Sequence, residues 1–453
     1  WKADDDSVFV EVYSGEEYDF CVERGETAYI LTLNGVDITD TRGNDKKEYG
    51  ILSQWHLDIR LAAGSENTIT IAPANPGSEK IYGVYAPRVN VSGQGSLSMT
   101  VSGEDIGDAY GFSVYDEISF LNGTGTVTAS VYSDYSACGI YVVANPDTED
   151  IGQVLIHDGT LSVTATGNGR GSAGIGADYI VISRGTVTAE AYGGTNSSLG
   201  VVFSDEMVVY GGTLTATAGG VTGDDALACG IFSEDSDSLF ALNGGSVTAT
   251  AQSDENDAAG IGIPGTIALI YGNLTASGTT QALVADEGIE VHIGTYKHRT
   301  NTTAAEPDTP YSFYPDTAFS IADVAEYKYV RIAETFAISS IEADNGSFTV
   351  TADGVAASSA AAGDTVTLTA ASAQGYSHSS WSVYRTGTPS TTVAVTGNTF
   401  IMPAYPVTVS ASFTQNTNNN GGGGAPSRTI TVTENSSDLF SDGKGEIKAT
   451  EIG

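Results

Sequence analysis

The stretch Gly200–Ala218, GVVFSDEMVVYGGTLTATA, decides how the chain folds. Val201, Phe203, Val208 and Tyr210 alternate with smaller or polar residues, and Leu214, Ala216 and Ala218 do the same. Alternation over four to six residues marks a strand with one buried face. Ser204-Asp205-Glu206 and Gly211-Gly212 separate the runs with residues that turn a chain. The block therefore predicts about three short strands joined by bends, with no helical period between them.

The same block recurs on either side. Gly-(Thr/Ser/Asn)-(Leu/Val) returns at Gly95, Gly125, Gly159, Gly185, Gly212, Gly245 and Gly272. A second phrase, Gly followed by an apolar residue, keeps step at Gly50-Ile51, Gly83-Val84, Gly111-Phe112, Gly139-Ile140, Gly174-Ile175, Gly200-Val201, Gly230-Ile231 and Gly260-Ile261. A fixed period of roughly thirty residues means one supersecondary unit stacked on copies of itself. Equivalent strands then pair parallel and in register, about 4.8 Å apart. The expectation is an all-β parallel β-helix of about nine coils, a column roughly 40 Å tall. Its glycines serve tight corners, and with no helix following them they are not a phosphate cradle.

Acidic residues number 56 against 18 basic ones, a formal net charge of −38. That balance argues against nucleic acid and anionic membranes as partners. No apolar run is long enough to span a bilayer. The chain opens at Trp1 without a visible signal peptide, which reads as a processed or trimmed start. Cys21, Cys138 and Cys229 are too few for a disulfide framework. Cys138 and Cys229 share the register of Tyr82, Tyr110, Ala173, Leu199 and Ala259, and are expected to form a buried, inward row.

Residues at equivalent positions should form ladders. One bend carries Asp116-Glu117, Asp150, Asp178, Asp205-Glu206, Asp237 and Asp286-Glu287. A longer loop carries Glu104, Asp105 and Asp108, then Asp134, then Asp224 and Asp225, then Asp254, Glu255 and Asp257. Stacked carboxylates about 5 Å apart repel by roughly 1 kcal/mol in water, and calcium, which takes six to eight oxygens, would offset this. The alternative is a set of solvated turns in which Asp bonds nearby backbone amides. Rings should also line up. The second residue past each Gly is expected to point outward, which places Tyr85, Tyr141, Val202 and Phe232 on the surface, with Trp55 nearby. Exposed rings could stack on sugar faces, or merely cover the sheet.

The phrases Ile30-Leu31-Thr32-Leu33-Asn34-Gly35-Val36-Asp37-Ile38-Thr39, Tyr49-Gly50-Ile51 and Leu57 to Ile69 add a resemblance. With Ser92-Gly93-Gln94-Gly95-Ser96-Leu97, they resemble a family of bacterial carbohydrate-binding β-helix proteins, the clostridial cellulose and pectin binders, over about residues 15–335. The resemblance implies a right-handed, pectate-lyase-like coil, calcium at the turns, and polysaccharide binding without cleavage. A lyase or hydrolase would need a basic residue beside clustered acids. Arg60, Arg88, Arg170 and Arg184 are the main candidates on the coil, with His157 beside Asp158, and none belongs to a recognisable hydrolase signature.

The period fails past Gly294. Residues 295–335, with Pro307, Pro310 and Pro315, are expected to cap a coil assigned to 26–294, and 1–25 to form an N-terminal strand or cap. Within 336–414, Gly375-Tyr376, Trp381, Phe400-Ile401-Met402-Pro403 and Val407-Thr408-Val409 resemble small β repeat modules of bacterial cell-surface proteins, with Trp381 and Phe400 in the core. Residues 415–427 read as a flexible Asn/Gly linker and 428–453 as the start of another module. The combined expectation is an extracellular or cell-surface polysaccharide-binding or adhesive protein, calcium-loaded and part of something larger. The rivals are a purely structural stalk and a polysaccharide-cleaving enzyme.

Overall fold

The computed structural model describes residues 8–9, 19–24, 29–40, 48–73, 80–103, 107–144, 151–254, 256–285, 288–291, 296–305, 312–314, 327–352 and 354–416. All their regular structure is β. Three parallel sheets wrap one core. Sheet A stacks Glu48–Ser53, residues 80–86 and 108–114, Ser136–Val142, residues 171–177 and 197–203, Leu227–Phe232, Asp257–Ile263 and Gln281–Ala285. Sheet B runs from Tyr29–Asn34 and Leu57–Leu61 to Gly288–Val291. Sheet C runs from Asp37–Asp40 and Glu66–Ile71 to residues 273–278. Each turn visits A, B and C in order. The structure is a parallel β-solenoid of about eight turns, not nine, because the first and last turns are incomplete.

The two repeated phrases build the interior. Ile51, Val84, Phe112, Ile140, Ile175, Val201, Ile231 and Ile261 form one row, none more than 1 % exposed. Leu97, Val127, Leu161, Val187, Leu214, Val247 and Leu274 form the facing row on sheet C. Burying each such side chain stabilises the fold by about 1.5–3 kcal/mol. The corners entering sheet C need glycine. Gly185 has φ +93°, and a Cβ there would lie 2.5 Å from the carbonyl oxygen of Gly159 one turn below.

On sheet A the glycine does something else. A Cβ on Gly111 would sit 3.3 Å from Ala129 Cβ and Val131 Cγ2 across the core, so Gly111 and Phe112 both face inward. Strand parity slips there. The residue before each Gly (Tyr82, Tyr110, Cys138, Ala173, Leu199, Cys229, Ala259) consequently lies on the outer side, not in the expected inward row. Cys138 and Cys229 are buried nonetheless, but outside the main core cluster.

The last strand of sheet C is covered by an antiparallel one, Tyr329–Ser340, with Tyr296–Asn301 antiparallel beyond it. Tyr329–Ser340 then continues into a small β module. Ala333 still pairs with Asn273 of the solenoid, whereas Thr335 pairs with Ala361 and Ile338 with Val407 of the module. The boundary read at 335/336 lies inside this shared strand. In the module, Gly346–Ala352 and Thr365–Ser372 pair antiparallel, as do Tyr376–Arg385 and Val407–Gln415. Phe400 is central to its core with Val366, Leu368 and Met402, while Trp381 packs half-buried against it and donates Nε1–H to Asn398 at 3.0 Å. Residues 417–453, including most of the expected linker and the further module, lie outside the described residues.

Candidate ligand-binding face

The parity slip leaves two outward rows on sheet A, and tyrosines fill their first turns. Tyr49 stacks on Tyr82 at 5.0 Å between centroids and 8° between planes, and Tyr82 on Tyr110 at 5.3 Å and 12°. These residues are Cα partners in adjacent rungs, so the rung spacing itself sets the stack. Tyr85 packs edge-on against Tyr49 and Tyr82, and Tyr141 tilts against Tyr110 at 5.4 Å. Tyr85 donates its hydroxyl to Tyr115 at 2.5 Å. Lys80 holds Asp108 at 3.4 Å and reaches over the Tyr110 ring at 5.8 Å, closing one edge.

Burial pushes five of these phenols upward. Tyr82 rises to about 12, chiefly by burial and then by the neighbouring Tyr49. Tyr49, Tyr85, Tyr110 and Tyr141 shift the same way for the same leading reason. At neutral pH the face therefore offers uncharged rings and hydroxyl donors. Cys138 and Cys229 are pushed up to about 12 by burial, which leaves them thiols rather than nucleophilic thiolates.

Beyond the rings the same face is hollowed. A cleft of about 280 Å³ is lined by Tyr110, Cys138, Tyr141, Arg170, Leu199 and Val202. A second, of about 490 Å³, lies around Cys229, Phe232, Glu234, Gly262 and Val284. Gly176 and Gly262 stand in the outward row where Tyr141, Val202 and Phe232 also stand, so the floor drops at both places. Of the aromatic residues expected on the surface, Tyr85, Tyr141 and Phe232 come together on sheet A with Val202. Trp55, 53 % exposed, sits apart at the A-to-B corner. Tyr49, Tyr82, Tyr110 and Tyr115 were not anticipated there. Counting alternation forwards from the buried Ala109 gives the outward position of Tyr110.

The acidic residues are spread over four places. Asp108 and Asp257 lie at the start of sheet A, and Asp257 lines the larger cleft. Glu117 and Glu206 lie at the start of sheet B, where Glu117 faces Arg88 at 3.9 Å and accepts the Ser119 hydroxyl at 2.7 Å. Asp224, Asp225 and Asp254 are exposed on the loops from C to A, where Asp134 also lies. The A-to-B corner holds Asp116, Asp178, Asp205, Asp235 and Asp237. There Asp178 accepts the Gly152 amide at 2.7 Å and the Ser204 hydroxyl at 2.8 Å, and Asp235 accepts the amide of Asp237 at 2.9 Å. Burial, then repulsion from Asp178 and Asp235, raises the Asp205 carboxyl. Among the described residues no three His, Cys, Asp or Glu side chains converge as a metal would need. Asp105, Asp286, Glu104, Asp150, Glu255 and Glu287 lie outside the described residues. Of the arginines, Arg184 donates to Asn122 at 2.9 Å and Arg170 borders the smaller cleft.

Comparison with known families adds one match. Residues 338–417 fit the family model of the divergent InlB B-repeat domain. The segment that is similar to this bacterial surface repeat follows directly after the solenoid. No carbohydrate-binding family accompanies it, and neither the curated proteins nor the solved structures provide a match. No helix among the described residues is long and apolar enough to cross a membrane.

Proposed function

We propose that the chain is an adhesive part of a larger bacterial surface protein, which holds a neutral polysaccharide along the outer face of sheet A and does not cleave it. The observation that carries this reading is the stack of Tyr49, Tyr82, Tyr110 and Tyr141, which runs along the solenoid axis into the adjoining clefts. Tyr49 and Tyr110 cover both faces of the buried Tyr82, so the stack meets a ligand through ring edges and hydroxyls, and their repeat at one spacing over several turns suits an extended polymer better than a single small molecule. The net charge of −38 favours uncharged over anionic polymers. The surface-repeat module supports a cell-surface or extracellular setting.

Affinity electrophoresis of the full chain through gels of neutral and acidic polysaccharides tests it. Retardation by a neutral polymer, lost in the Tyr85→Ala/Tyr141→Ala double variant, is the expected result, with no new reducing ends released from pectate, xylan or cellulose. Equal mobility in every gel would favour the second reading, a structural stalk. That reading has its own support in the strand Tyr329–Ser340, which joins solenoid and module without a hinge.

A further inference from the structure

The place where solenoid and module meet has a different chemistry. A cavity of about 490 Å³ opens there between the glycine corner of the last turns and the start of the module. Tyr271 and Asn273 line it from the solenoid, and Glu334 and Phe336 from the shared strand. Glu334 occupies the one residue between the pairing of Ala333 with sheet C and of Thr335 with the module. Its Oε2 accepts the Gly272 amide at 3.1 Å, and among the described residues no cation pairs with it. Burial lifts this carboxyl, an effect the Gly272 hydrogen bond only partly opposes.

Asn273 adds a second unmet need. Its Oδ1 is buried with no hydrogen-bond partner. An orphaned acceptor and a half-buried carboxylate without a counter-charge are both costly, and among the described residues no Lys, Arg or His lines the cavity to relieve them. Tyr271 supplies the remaining feature, a ring 41 % exposed. A neutral hydroxyl would answer Asn273 but leave the carboxylate charge uncompensated. An ammonium group brings three donors, no acceptor and the missing charge, and an aromatic face attracts it further.

We propose that this junction cavity binds a ligand bearing a primary ammonium, with the cation on Glu334 and Asn273 and the body of the ligand against Tyr271 and Phe336. Two sources share that chemistry, an amino sugar and a lysine side chain of another protein. The site is separate from sheet A and stands without the polysaccharide reading.

Isothermal titration of the full chain with D-glucosamine, N-acetyl-D-glucosamine and Nα-acetyl-lysine amide tests it. Saturable binding of at least one ammonium probe is expected, and the stronger of the two names the source. N-acetyl-D-glucosamine, in which the charge is capped, should bind at least about tenfold more weakly than an ammonium probe. Glu334→Gln keeps the side-chain shape and an acceptor for the Gly272 amide, and should also weaken binding about tenfold or more. Tyr271→Ala should weaken it less, and Tyr85→Ala/Tyr141→Ala not at all. Failure of both ammonium probes to bind, equal binding of the capped sugar, or undiminished binding by Glu334→Gln would each overturn the proposal.

Discussion

The outer faces of sheets A and C ride on the same rungs, yet they carry different chemistry. On sheet C one outward row reads Thr128, Ser162, Thr188, Thr215, Thr248, Thr275 from turn to turn, and the next reads Ser130, Thr164, Glu190, Thr217, Thr250, Ser277. Threonine suits an exposed pleated surface better than most polar residues, and the contacts across rungs are of the ordinary kind. Ser277 donates to the Thr250 hydroxyl at 3.3 Å and Thr164 to Glu190 at 3.2 Å. Sheet A replaces this uniformity with rings, thiols, small apolar residues and two hollows. The contrast separates what stacking demands from what it merely permits. Interior rows and corner glycines are dictated by the coil. The outside follows strand propensity, as sheet C does, unless something else selects its residues.

The largest effect should come from removing what stacking demands. Phe112→Ala takes a fully buried ring from the row beneath sheet A and should cost about 3–5 kcal/mol of unfolding free energy. Thr188→Ala on the outside of sheet C should stay within about 0.5 kcal/mol. Urea unfolding of both variants measures the difference. Comparable losses would mean that the exterior ladder is as structural as the core.

Binding sharpens the contrast between the two exteriors. Tyr85→Ala/Tyr141→Ala should lower polysaccharide affinity about tenfold or more, on the scale of lost ring contacts. Thr188→Ala/Thr215→Ala should leave affinity unchanged. Equal losses from both pairs would dissolve the distinction between the faces.

An alkaline titration reaches the same contrast from the side of stability. Unfolded tyrosines ionise near pH 10, whereas Tyr82 is raised to about 12 in the folded chain and four neighbours on sheet A shift with it. The folded state therefore keeps protons that the unfolded state has lost. The resulting stabilisation is complete below about pH 10 and disappears as pH rises through about 12. The urea midpoint should fall across that window, and Tyr82→Phe should make the fall shallower. On sheet C, Tyr192 at the far edge shifts the same way, again chiefly by burial.

Much of this architecture is legible in the chain, because the coil writes its demands at a fixed period. Gly50-Ile51 through Gly260-Ile261 name the inward row, and Gly159, Gly185, Gly212, Gly245 and Gly272 name the corners. The tyrosine stack was harder to see. Strict alternation places the residue before each Gly inside, and only the side-chain-free Gly111 lets two successive positions face the core. The junction cavity was not readable at all, since its decisive contact joins Gly272 to a carboxylate 62 residues away. The acidic rows are legible only in part. Asp116, Asp178, Asp205, Asp235 and Asp237 share the A-to-B corner, where Asp178 and Asp235 also accept amides and a hydroxyl that sequence alignment alone does not reveal.

Asp205 is where a remnant of that ladder can still be weighed. Burial and the charges of Asp178 and Asp235 raise its carboxyl above the usual value, so the folded chain holds its proton more tightly than the unfolded one does. Stability is accordingly greatest below the unfolded value of 3.8 and falls as pH rises through the folded one, which leaves a residual repulsion at neutral pH. Because Asp205 is exposed, solvent screens most of it, and Asp205→Asn should gain no more than about 0.5 kcal/mol. Calcium at this corner would relieve the same repulsion, raising the melting temperature by about 1–2 °C over chelator. Asp205→Asn should shrink that rise. A chelator-insensitive melting temperature in the parent chain would remove the cation from the A-to-B corner, and an undiminished rise in the variant would move it elsewhere on the coil.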